Sequence, residues 1–125
     1  MTFNAERYHS IIDKVVIQIY NKYPEIEEVF GDRGKIKCKE DNVHHFHYLE
    51  TADHLNQPRI FTDYALWLNN ILVKRGMSSE HLIDNFRFIQ IAIKGNLEEE
   101  TVERFSQYLD AAIDLINSPK GENTD

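Results

Sequence analysis

Ile60-Phe61-Thr62-Asp63-Tyr64-Ala65-Leu66-Trp67-Leu68-Asn69-Asn70-Ile71-Leu72 places Ile60, Phe61, Tyr64, Trp67, Leu68, Ile71 and Leu72 at i, i+3 and i+4 spacing. That is the period of an α-helix with one face turned to a core. Lys74 and Arg75 follow, and Gly76 stands where a left-handed cap ends such a helix. Asn56-Gln57-Pro58 breaks the chain ahead of it.

Further helices are expected on both sides. Ser78 or Ser79 caps the next one, whose stripe holds Leu82, Phe86, Ile89 and Ile93 before Gly95 closes it. Asn96, with Glu99 three residues on, resembles a capping box. The helix it would start buries Val102, Phe105, Leu109, Ala112, Ile113 and Ile116, and Pro119 stops it. On the other side, an Asn4 cap opens a helix to about Lys22 with Ile11, Ile12, Val15, Val16 and Ile19 on its inner face. Pro24 suits the first position of a short helix over 25–30, ended by Gly31. Gly31-Asp32-Arg33-Gly34 reads as a turn, and a third helix runs over 35–53. No segment alternates with a two-residue period, so no sheet is expected. The fold class expected is all-α: one globin-like helical domain over 1–117, with five longer helices and one short helix, and a disordered tail over 118–125.

Composition narrows the function classes. The chain has 125 residues, 42% hydrophobic and 28% charged, which suits one soluble globular domain. A net charge of −7 argues against a nucleic-acid partner, because phosphate neutralisation needs a clustered basic surface. Arg33, Lys35, Lys37 and Lys39 are the local exception and read as a solvated loop and helix start. The opening Met1-Thr2-Phe3-Asn4 segment lacks the apolar core of a signal peptide, and apolar runs such as Val15-Val16-Ile17 are far too short to span a membrane. With a single cysteine, Cys38, no internal disulfide forms, and a cytoplasmic setting is expected.

No phosphate-binding glycine loop, nucleophile elbow, Cys-x-x-Cys or His-Glu-x-x-His occurs, so no enzyme is expected. His44 and His47 are helix neighbours, but His45 points about 100° away from His44, and Asp41 with His45 supplies too few ligands for a metal site.

The chemistry that remains lies in Gly34-Lys35-Ile36-Lys37-Cys38-Lys39-Glu40-Asp41-Asn42-Val43-His44-His45-Phe46-His47. Cys38, Asp41, Asn42 and His45 fall along one side of a helix, and Leu49 and Ala52 continue it. Two readings stand for His45. It is a core histidine held by Asp41 one turn earlier, or it is an axial haem ligand or a donor to a carbonyl or propionate of a bound tetrapyrrole. Cys38 is likewise either a small buried hydrophobe or an attachment thiol whose anion Lys37 and Lys39 would favour.

This helix resembles that of the phycobiliproteins, the bilin-carrying branch of the globin-like folds, in which Cys-x-Arg-Asp gives a thioether to the bilin and a carboxylate to its inner pyrrole N–H groups. Cys38-Lys39-Glu40-Asp41 takes that pattern here, with Arg33 and Lys37 at the offsets of the propionate-binding cations. Ala52 to Pro58, Leu72 to Ser79 and Tyr108-Leu109-Asp110-Ala111-Ala112-Ile113 resemble later parts of the family. The family's arginine is Glu40 here, its two following aromatics are His44 and His45, and the stretch before the cysteine is too short for the family's N-terminal helical hairpin. In size the chain is more similar to the bacterial bilin biosynthesis-associated globins.

The resemblance implies a non-catalytic tetrapyrrole carrier or sensor, with a bilin as cofactor ahead of haem. Its implied site is Arg33 and Lys37 at the mouth, Asp41 and His45 as the polar interior, Tyr64 and Trp67, with Phe46 and Phe61, as walls, and Cys38 and His44 as further cofactor-binding residues. A homodimer or a protein partner stays open. The rival class is a cofactor-free globin-like interaction module of the kind used in bacterial regulation. Asp41 and His45 facing inward would favour the ligand, because unpartnered buried polar groups cost about 1–3 kcal/mol each.

Overall fold

A computed structural model describes residues 2–118. The protein is all-α, with no strand among the described residues. After a single 3-10 turn, Ala5–Tyr8, come α1 (His9–Lys22), α2 (Glu25–His54), α3 (Arg59–Lys74), α4 (Ser79–Ile93) and α5 (Glu99–Asn117). Among the described residues no helix is long and apolar enough to cross a membrane. The expected tail lies outside the described residues from position 119 on.

The apolar stripes meet in one core. Tyr8, Ile11 and Val15 of the amino-terminal part pack with Phe46, Leu49 and Ala52 of α2, Phe61 and Ala65 of α3, Phe86, Ile89 and Ile93 of α4, and Phe105, Leu109 and Ala112 of α5, all essentially inaccessible to water. Helix α4 lies against α1 and α5, while α3 lies against α5 and α2. Burying such side chains stabilises the fold by about 1.5–3 kcal/mol each.

Three local expectations change. The span of α2 is two helical segments joined at a kink: the short helix over 25–30 ends at Gly31 (φ 62°, ψ −154°) as expected, but helical backbone resumes at 32 rather than 35, so the turn expected over 31–34 shrinks to Gly31 alone. Only glycine adopts that backbone region at low cost. Asn96 does not cap α5. Its side-chain amide donates to the carbonyls of Ala92 and Lys94 at the end of α4, and α5 starts after Glu98 without a side-chain cap. The Asn4 cap is present, accepting from the Glu6 N–H, but the turn it starts is 3-10 before α1 begins. Ser78 does cap α4, and His81 completes the reciprocal box by accepting from the Ser78 N–H.

Ion pairs join elements that are distant in sequence. Asp84 on α4 receives Lys22 Nζ at 2.7 Å and the Tyr23 hydroxyl, tying α4 to the end of α1. Arg104 and Tyr108 on α5 both donate to Asp53 at the end of α2.

Candidate functional site

Residues on both sides of the bend at Gly31, together with residues of α1, α3 and α4, line a cleft of about 620 Å³. Its floor is apolar: Ile19 and Tyr20 from α1, Ile26 and Phe30 before the bend, Leu68 and Leu72 from α3, Met77 from the following loop, and Leu82 from α4. That volume falls in the range of about 300–1,000 Å³ usual for small-molecule sites. Close packing shapes the wall. A Cβ on Gly34 would lie 2.7 Å from the Phe30 Cβ and 3.3 Å from the Tyr20 hydroxyl oxygen, so the two sides of the bend close on one another with no room for a side chain at position 34.

Five of the eight expected site residues line this cleft: Arg33, Lys37, Cys38, Asp41 and His45. Tyr64 stands behind it, buried, with its hydroxyl 2.7 Å from His45 Nδ1. His44 is exposed and is not among the lining residues. Trp67 is 59% exposed on the outer flank of α3 and does not line the cleft, and Phe46 and Phe61 are wholly in the core.

His45 is 1% exposed. Burial, with a smaller push from His44, lowers its pKa to about 3, so the ring is neutral at physiological pH. Asp41 does not hold it. The Asp41 carboxylate pairs with Lys37 Nζ at 3.4 Å, one turn back, and its side chain keeps 20% of its exposure. Burial raises the Asp41 pKa and Lys37 opposes that shift.

Cys38 is half-buried, and burial together with the Asp41 charge pushes its thiol up to about 11. The flanking lysines do not make it a thiolate, because Lys37 turns to Asp41 and Lys39 turns to Asp13 at 3.5 Å. Its polar neighbour is Asn42, whose amide donates to the Cys38 carbonyl at 2.9 Å. Asn42 also exchanges two hydrogen bonds, 3.0 and 2.8 Å, with Asn85 on α4. This buried pair pins α2 to α4 beside the cleft, since separating it would leave two unsatisfied amides.

The basic run resolves into single partners: Lys35 with Glu27, Lys37 with Asp41 and Lys39 with Asp13. Among the described residues Arg33 has no acidic partner. The same holds for Arg75, a lining residue absent from the sequence-based set. In the sequence Arg75 reads only as a cation at a helix end, and Met77 and His81 carry no signal as lining residues at all. The cleft therefore has an apolar body, two guanidinium groups with no acidic partner among the described residues, the Lys37–Asp41 ion pair, the Glu40 carboxylate, and the imidazoles of His45 and His81. Among the described residues no group of three or more His, Cys, Asp or Glu is arranged to hold a metal ion.

Comparison of the chain with family models, with curated proteins and with solved structures found no match.

Proposed function

We propose that the protein is a non-catalytic tetrapyrrole carrier or sensor, with an open-chain bilin ahead of haem as its ligand, built on a globin-like helical fold related to the phycobiliproteins. The observation that carries this reading is the convergence of Arg33, Lys37, Cys38, Asp41 and His45 on one apolar cleft of about 620 Å³. A flat apolar body fits the floor. Carboxylates at its edge meet Arg33 and Arg75, which have no acidic partner among the described residues and bind such groups through paired N–H donors. Asp41 supplies the acceptor that pyrrole N–H groups need. Binding through Cys38 is not part of the proposal, because a thiol held near 11 is protonated at neutral pH and is a poor nucleophile.

Absorption spectra of the purified chain mixed with biliverdin, and separately with haemin, test the reading. A shifted and sharpened band with biliverdin is expected. Spectra that equal the sum of the separate components for both pigments would sink the proposal.

One observation favours the rival interaction module. Trp67 and Tyr48, 59% and 39% exposed, flank the buried Tyr64, and Tyr48 stacks on it at 4.0 Å between ring centroids. Aromatic side chains of this kind anchor protein interfaces. On that reading the Trp67 face is used and the cleft stays empty.

A further inference from the structure

The hydrogen bond between Tyr64 and His45 has a direction that the surroundings decide. Among the described residues, His45 Nδ1 is the hydroxyl's only hydrogen-bond partner. If Nδ1 carried the ring proton and donated to the Tyr64 oxygen, the phenolic proton would have no acceptor in a buried place. Stranding it there carries the full desolvation penalty of an unsatisfied buried donor. If the Tyr64 hydroxyl donates to Nδ1, both groups are satisfied and the ring proton of the neutral imidazole sits on Nε2. Among the described residues Nε2 has no partner, and His45 lines the cleft while Tyr64 does not.

Resting on the proposed tetrapyrrole cleft, we infer that Tyr64 is a positioning residue that fixes His45 as an Nε2–H donor aimed into the cleft, so that the site selects a metal-free ligand presenting a carbonyl oxygen over a ligand offering an iron centre. Coordination of iron needs a bare Nε2 lone pair, which requires moving the proton to Nδ1 and leaving the Tyr64 proton stranded. A terminal lactam carbonyl of an open-chain tetrapyrrole accepts from Nε2–H with no rearrangement. The remaining surroundings agree. Leu68 and Leu82 are apolar lining, Phe86 meets the imidazole edge-on at 5.2 Å, Asn85 is committed to Asn42, and the Asp41 carboxylate in the same cleft is paired with Lys37 at 3.4 Å. None of these competes for the Nε2 proton.

Ring-nitrogen chemical shifts of His45 in isotope-labelled ligand-free protein read the tautomer directly. A protonated Nε2 and an unprotonated Nδ1 are expected, and the reverse assignment overturns the inference without touching the proposed function. Adding biliverdin should move the Nε2–H resonance. Biliverdin that binds by absorption but leaves that resonance in place also overturns the inference alone, whereas no binding of biliverdin removes both readings together. Tyr64→Phe leaves Nδ1 without its donor and frees the tautomer. It is expected to weaken biliverdin about tenfold, the loss of one net hydrogen bond. In the same variant, haemin should acquire the spectrum of histidine-ligated iron, which is not expected of the wild type. Histidine-ligated haemin already present in the wild type contradicts the inference.

Discussion

Cys38 and Asp41 stand three residues apart on one side of α2, yet they have different surroundings and different uses. The thiol is half-buried beside a carboxylate, which pushes its pKa to about 11, whereas Asp41 keeps an ion pair and a partly open face toward the cleft. Cys38→Ala is therefore expected to retain biliverdin binding, with pigment lost equally from both proteins on denaturation. Pigment that survives denaturation in the wild type alone would show that Cys38 anchors it. The stretch 34–47 was legible in the sequence as one face of chemistry, because helical spacing alone aligns Cys38, Asp41 and His45. Its partners were not. Helical spacing suggested Asp41 as the support of His45, while the structure supplies Tyr64 from α3, a contact that depends on how two helices pack. Trp67 shows the same limit: periodicity puts it on the stripe, but its position at the stripe's edge leaves it in water.

Helices α3, α4 and α5 were legible because each has a wide apolar stripe, and α3 and α4 end at glycines with positive φ, Gly76 (90°) and Gly95 (77°). The break at Gly31 was legible as a helix end, but the immediate return to helix at 32 was not, since Gly31-Asp32-Arg33-Gly34 carries turn chemistry. Residues on both sides of that bend line the cleft, so substitutions there should affect stability and binding together. Gly31→Ala forces a Cβ into a glycine-only backbone region and is expected to destabilise by about 1–3 kcal/mol. Gly34→Ala meets Phe30 Cβ and is expected to lose a similar amount, about 1–3 kcal/mol, by overpacking. Urea unfolding measures both. Midpoints equal to that of the wild type would contradict this account of the bend.

Across the molecule, acid should loosen the fold through groups on different helices. His45 is neutral when folded because its pKa falls to about 3, so the unfolded chain binds the extra proton below its ordinary value of about 6.5. Its contribution to stability is complete above that value and is lost as pH falls toward the folded pKa. Asp53 is held below the usual carboxylate range by Arg104, with Tyr108 adding to this against the opposing effect of burial. Burial would raise Asp84, but Lys22 and Tyr23 hold it low. These two contributions are present above the unfolded carboxylate value of about 3.9 and disappear below it. Thermal melts are expected to show Tm falling from about pH 6.5 downward, in a chain where His45→Gln flattens the upper part of that fall. A Tm unchanged between neutral pH and pH 4.5, a range of roughly two units spanning the histidine titration, would refute the burial of a neutral His45. The central claim concerns the cleft itself, and a calorimetric titration of biliverdin into the wild type and into an Arg33→Glu, Arg75→Glu double variant tests it most directly. Saturable binding to the wild type, weakened about tenfold or more when the two exposed cations at the cleft are reversed, is the predicted result. No saturable heat, or equal affinity in both proteins, would contradict a tetrapyrrole site between α1, α2, α3 and α4.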